Sequence, residues 1–272
     1  MITRKILPRL LPAVLGLTVA GCSPQEPEPA PSTAPAVAPP QAHKPIKKVD
    51  DKTPIPKTIG KPSTRREITF RHKGTVGRKL KAEWVTTRED GTVTPLVVSG
   101  RSVSELVSVK NGNSTWKVSY TEKVNALGDH EFAPGKGVDE NRLEFYTYNA
   151  IGNLVGVEGH APDSYLPYKQ FPERRVRIGD TWSGYTVHEG DKSRDSYKLE
   201  EISIVKGNEY AVVSYVSKNA DGTQRGKKWV DAATGIPIKS VENGDGRDFQ
   251  DELFRFSQSY YVLDNFGQRI LP

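Results

Sequence analysis

Residues 108–123 read SVKNGNSTWKVSYTEK, and residues 203–218 read SIVKGNEYAVVSYVSK. The two align without gaps and share seven residues: Ser, Gly, Asn, Val, Ser, Tyr and Lys. Trp116, Val118 and Tyr120 alternate with polar residues in the first copy. Such alternation marks a half-buried strand, because successive side chains leave a strand on opposite sides. The Gly in each copy accepts the positive φ that a tight hairpin turn requires. Each copy therefore reads as a β-hairpin, and its return points to an internal duplication.

The flanks repeat in the same order. Val76-Gly77 with Leu80 precedes the first copy, and Ile178-Gly179 with Trp182 precedes the second. Tyr148-Asn149-Ala150-Ile151-Gly152 follows the first, and Val230-Asp231-Ala232-Ala233-Thr234-Gly235 follows the second. Further strand patterns run through Leu80, Ala82 and Trp84, through Val103, Val107 and Val109, and through Tyr210, Val212 and Val216. Turn dipeptides separate them: Asp90-Gly91, Asn111-Gly112, Gly152-Asn153, Gly207-Asn208 and Asp221-Gly222. Phe249, Leu253, Phe256 and Tyr260 fit a helical face, but Phe254, Phe256, Tyr260 and Val262 fit a strand, and the dense aromatics favour the strand. The Gly-rich stretch from Ala126 to Asn141 lacks alternation and reads as a loop present only in the first copy. The expected fold is all-β and antiparallel, with two duplicated, curved β-sheet units of half-barrel or barrel-like form at 63–160 and 161–272.

The N-terminus has a different texture. Arg4, Lys5 and Arg9 precede an apolar run from Leu10 to Ala20, which is shorter than the roughly 18 to 20 residues of a membrane-spanning helix. It reads as the core of a secretory signal. The run ends in Val19-Ala20-Gly21-Cys22, which resembles the lipobox of bacterial lipoproteins. Cys22 is the chain's one Cys, so no disulfide can form within it. The resemblance implies a signal peptide over 1–21, palmitate-type acylation of Cys22, and the membrane as a partner through that lipid. Ser23 in place of Asp implies the outer membrane, facing the periplasm, in a cell with two membranes. The segment 22–62 carries eleven Pro and no aromatic residue, and is expected to be a disordered tether.

Of the net charge of +6, residues 1–21 carry +3, residues 22–62 carry +2, and the remaining 210 carry +1. A β region so close to neutral has no electrostatic footprint for a nucleic acid. The basic character belongs to the segments that target and tether. The Lys residues of the tether could touch a cell-wall polymer.

Two stretches carry a second resemblance: 171–182, FPERRVRIGDTW, and 229–237, WVDAATGIP. They resemble uncharacterised bacterial envelope proteins of the lipoprotein-carrier half-barrel type. The resemblance implies a curved sheet able to hold an apolar ligand and identifies no catalytic residue.

Catalytic motifs are lacking. His43, His72, His130, His160 and His188 form no HExxH pattern, and there is no G-x-S-x-G, P-loop or dinucleotide fingerprint. No metal or cofactor is expected. Glu242, Asp245, Asp248, Asp251 and Glu252, with Gly244 and Gly246 among them, read as an exposed acidic loop rather than a Ca²⁺ site. The leading expectation is a non-enzymatic envelope lipoprotein that binds an apolar ligand or envelope component. Trp84, Trp116, Trp182, Trp229, Tyr120 and Tyr215 are the candidate lining residues. The alternatives are a glycan-acting enzyme using Asp180 with Glu200 or Glu201, and a tethered scaffold without a small ligand.

Overall fold

The computed structural model describes residues 59–89, 96–124, 142–158, 169–188, 191–219, 222–247 and 253–272. Cys22, the signal segment, most of the tether and the loop from Ala126 to Asn141 lie outside these residues. So do His43, His130, His160, Asp248, Asp251 and Glu252.

Every regular element of the described residues is a strand. The first unit is a meander of β3 (Lys79–Glu89), β4 (Leu96–Lys110), β5 (Asn113–Val124), β6 (Arg142–Tyr148) and β7 (Leu154–Val157). The second is a meander of β12 (Arg194–Val205), β13 (Asn208–Lys218), β14 (Thr223–Asp231), β15 (Pro237–Arg247) and β16 (Leu253–Leu263). Short strands complete the set: β1 (Lys61–Pro62), β2 (Glu67–Ile68), β8 (Val176–Arg177), β9 (Thr181–Gly184), β10 (Val187–His188) and β11 (Asp191–Lys192).

The two meanders form one sheet rather than two. β16 pairs antiparallel with β3, so the order runs β12-β13-β14-β15-β16-β3-β4-β5-β6-β7. β1 and β9 join β12 at one end, β7 stands at the other, and the ends do not pair. The sheet is thus open, and the barrel-like form of the expectation gives way to an unclosed one. Lys61 and Pro62, which the composition assigned to the tether, pair as β1 with Ser203 and Ile204. An edge position is where a strand tolerates Pro.

The hydrogen bonds repeat in the same order as the residues. The N–H of Gly77 donates to Leu106 O and the N–H of Leu106 to Arg78 O; likewise Gly179 donates to Leu199 O and Leu199 to Asp180 O. A β-bulge follows each of these leucines. Each hairpin then turns through two residues of positive φ, Asn111-Gly112 and Lys206-Gly207. The later turns also match. Asn149 Oδ1 accepts from the N–H groups of Ile151 and Asn153, and Asp231 Oδ1 from those of Ala233 and Thr234.

Cross-strand partners project on the same side of a sheet. One continuous row of partners is Trp182, Tyr197, Tyr215, Gly226, Glu242, Gln258 and Thr86. That side, here called the inner face, also carries Trp84, Trp116, Val118, Tyr120 and Tyr260, all buried. A sheet with no helical layer buries one face by curling over it. Glycines on this face make room for rings. Trp84 lies over Gly100, Tyr215 over Gly226, Phe256 over Gly244 and Phe254 over Gly246, each a cross-strand pair.

This overturns the reading of an exposed acidic loop for its described part. Glu242 to Gly246 belong to β15, Glu242 points inward and is 1% exposed, and Asp245 accepts the N–H of Thr223. The segment around Phe254 and Tyr260 is the expected strand, β16, with Phe254, Phe256, Tyr260 and Val262 all buried.

Candidate functional site at the seam of the two units

Residues 71–73 bridge the two equivalent turns. The N–H of His72 donates to Ala150 O of the first, and the N–H of Lys73 to Thr234 O of the second, both at 2.8 Å. Gly235, at φ 69°, leaves space for the Arg71 carbonyl that a Cβ would strike. His72 stacks along Trp116 with centroids 5.9 Å apart and meets Tyr148 edge-on at 5.3 Å. Its Nδ1 lies 3.1 Å from Ser114 Oγ. Burial pushes the imidazole down to about 4, with the Arg78 charge adding to the effect, so the ring is neutral at neutral pH.

Beside His72 lies a cavity of about 30 Å³. Trp116 and Tyr148 wall it from the first unit, and Phe171, Gln170 and Ile236 from the second. A water needs roughly 10 to 15 Å³ by this measure, so the space fits one or two waters or the tip of an apolar chain.

A buried polar centre stands behind Gln170. Gln170 Oε1 accepts from Lys228 Nζ at 2.7 Å, and that Nζ sits 4.8 Å from the centre of the Tyr215 ring. Lys228 is 1% exposed, and burial pushes it down to about 8 against the opposing charges of Glu242 and Asp195. Glu242, its diagonal neighbour across β14 and β15, accepts the Tyr215 hydroxyl. Burial pushes Glu242 up to about 7, although Tyr215, Lys228 and Gln224 all favour its charge. Asp195 accepts hydroxyl hydrogens from Thr186, Ser193, Tyr197 and Ser217 at 2.7 to 3.1 Å.

Of the six aromatic residues singled out from the sequence, Trp116 reaches the cavity. Trp84 meets Tyr120 edge-on at 6.4 Å on the inner face, and the Tyr120 hydroxyl donates to Glu144. Trp182 stacks on Tyr197 at 5.8 Å and donates its Nε1–H to Gln170 O. Tyr215 belongs to the polar centre. Trp229 follows Lys228 along the strand and so turns to the opposite side, where Lys239 Nζ lies 5.1 Å from its ring centre.

Asp180 and Glu200 occupy different surroundings. The Arg177 N–H and the Arg174 guanidinium bind Asp180 at a surface turn and hold its carboxyl below the usual range. Burial raises Glu200, but Lys198, Ser214 and the charge of Lys227 outweigh it and lower the carboxyl overall. Among the described residues, no three His, Cys, Asp or Glu side chains converge as a metal site would require.

Sequence reasoning did not single out Lys228 or Gln170, and it placed Glu242 in a loop. Alternation could have turned Lys228 inward, because it stands between Gly226 and Val230 at every second position of β14. Glu242 stands between Ser240 and Gly244 in the same way, and neither neighbour is an apolar signal.

No family model matches the chain, and no curated protein matches it. Solved structures do. A protein with a YmcC-like fold from Bacteroides fragilis shares 13% identity, covering 72% of this chain and 100% of that one, with a TM-score of 0.35. The hypothetical lipoprotein YmcC from Escherichia coli K12 shares 10% over 70% of this chain and 89% of its own, with a TM-score of 0.29. A DUF1329 family protein from Desulfovibrio piger shares 9% over 70% and 87%, with a TM-score of 0.24. Similarity at this level leaves the site to be read from its own residues.

Proposed function

We propose that the chain is a lipoprotein of the bacterial envelope, anchored through Cys22, whose half-barrel binds an apolar ligand or envelope component without transforming it. The supporting observation is the pocket at the seam, which both units build and which Trp116, Phe171 and Tyr148 wall. Its volume accepts the end of a chain rather than a whole lipid. A longer ligand enters by displacing the neighbouring stack of Phe70 on Phe171, whose ring centres lie 4.6 Å apart. Glycoside cleavage requires a protonated acid opposite a base, whereas the Arg177 N–H and Arg174 favour the ionised form of Asp180, and Lys198, Ser214 and Lys227 that of Glu200. That favours binding over the glycan-acting alternative built on these residues.

Native mass spectrometry of the full-length protein extracted from its own envelope tests this reading. A bound apolar mass is expected, with less retained by Trp116→Phe. An unliganded mass alone, with no fluorescence gain from a hydrophobic dye, overturns it and leaves the tethered scaffold.

A further inference from the structure

Glu242 on β15 and Gln258 on β16 are cross-strand partners on the inner face, and both are at most 3% exposed. Each leaves its Oε1 without a hydrogen-bond partner, and the Gln224 Nε2 donor that faces Glu242 from β14 is buried and unpaired as well. Two neighbouring acceptor oxygens left unpaired in a dry interior are costly, and a single proton between them pairs both.

Burial asks for the same proton: a neutral acid at Glu242 adds no charge to the dry interior, where an ionised carboxylate is expensive.

The groups around Glu242 fit this assignment. Tyr215 of β13 donates to its other oxygen, Oε2. From β14 come Lys228, whose Nζ donates to Gln170, and Gln224, whose amide faces the Glu242 carboxyl as a donor; both favour its charge, and burial opposes them. Gln258 and Tyr260 face it from β16, and Thr86 from β3. Arg88, one row further along β3, holds its guanidinium 4.1 Å from the Phe254 ring centre. Asp195 and Tyr197 of β12 lie beyond Tyr215.

We propose that Glu242 is a carboxylic acid in the native protein, its Oε1–H donated to Gln258 Oε1, so that the centre of the inner face is a reversible proton-binding site. The proton comes from solvent and returns to it. This assignment goes beyond the ligand reading and stands without it. Burial places Glu242 at about 7 against 4.5 for an ordinary Glu, so the native fold takes up the proton in the neutral range. The folded state then binds more protons than the unfolded chain from about pH 7 down to 4.5, and Glu242 adds stability as the pH falls through that window.

Infrared spectroscopy of the full chain decides the assignment. A protonated-carboxyl C=O stretch is expected near pH 6, where exposed carboxyls are ionised, and it should be lost in Glu242→Gln. That variant keeps the side chain's size and offers Gln258 an amide donor. In urea, the wild-type midpoint should rise relative to that of Glu242→Gln as the pH drops from about 7 to about 5. An ionised Glu242 accepting from the Gln258 amide would show no such band and leave the two midpoints moving in parallel. That result overturns the proposal. Should Glu242→Gln fail to fold, the wild-type spectrum alone decides.

Discussion

Trp84 lies over Gly100, its cross-strand partner, so closely that a Cβ on Gly100 would collide with Cζ2, Cε2 and Cη2 of the indole. The ring takes the volume that a side chain on β4 would otherwise fill. Gly100→Ala is expected to cost about 1 to 3 kcal/mol, the usual range for overpacking. A Cβ on Gly77 would meet nothing within 4 Å, and the residue adopts φ 88°, so Gly77→Ala should cost only about 1 to 2 kcal/mol, from backbone strain alone. Urea titrations of the two variants check the ranking, and a larger loss at Gly77 would refute it.

Asn149 and Asp231 hold equivalent turns through the same side-chain oxygen. Asn149→Asp and Asp231→Asn should therefore be tolerated, because each keeps an acceptor in place. Asn149→Ala and Asp231→Ala should each lose about 1 to 2 kcal/mol, since two backbone N–H groups lose their partner. Thermal denaturation of the four variants distinguishes the classes.

Two buried groups should tilt the pH dependence of stability in opposite directions. His72 is lowered from 6.5 to about 4, so its contribution is present above 6.5 and lost as the pH falls through 4. Glu242 is raised, so its contribution grows as the pH falls from about 7 to 4.5. The wild type should be nearly flat where the windows overlap. His72→Gln should gain stability on acidification, and Glu242→Gln should lose it. Urea midpoints measured from about pH 7 to 4.5 check both slopes; equal slopes in the two variants would contradict the assignment.

The proposed acylation of Cys22 has a direct test. Radiolabelled palmitate should enter the wild type and not Cys22→Ser. Equal labelling would remove the anchor from the proposed function.

The hairpins and the duplication were legible because turn chemistry and alternation are local properties. Asn111-Gly112 and the alternation of Trp116, Val118 and Tyr120 need no knowledge of the rest of the chain. The pairing of β16 with β3 was not legible, since it joins the last strand to the third and no local pattern records it. Gly244 and Gly246 misled for a related reason. A glycine in a strand looks like a turn residue until the aromatic ring across from it is known. The full burial of Glu242 and Lys228 follows from the curl of the whole sheet, which no short stretch of sequence carries.

The junction of β16 with β3 also has a consequence for biogenesis. Synthesis runs from the N-terminus, so β3 emerges long before Leu253–Leu263 exists to cover it. In that interval the nascent first meander carries a bare edge, a row of unpaired N–H and C=O groups able to capture a neighbouring chain. Chains that stop short of β16 would keep that edge open permanently, and such truncated products should polymerise rather than merely unfold.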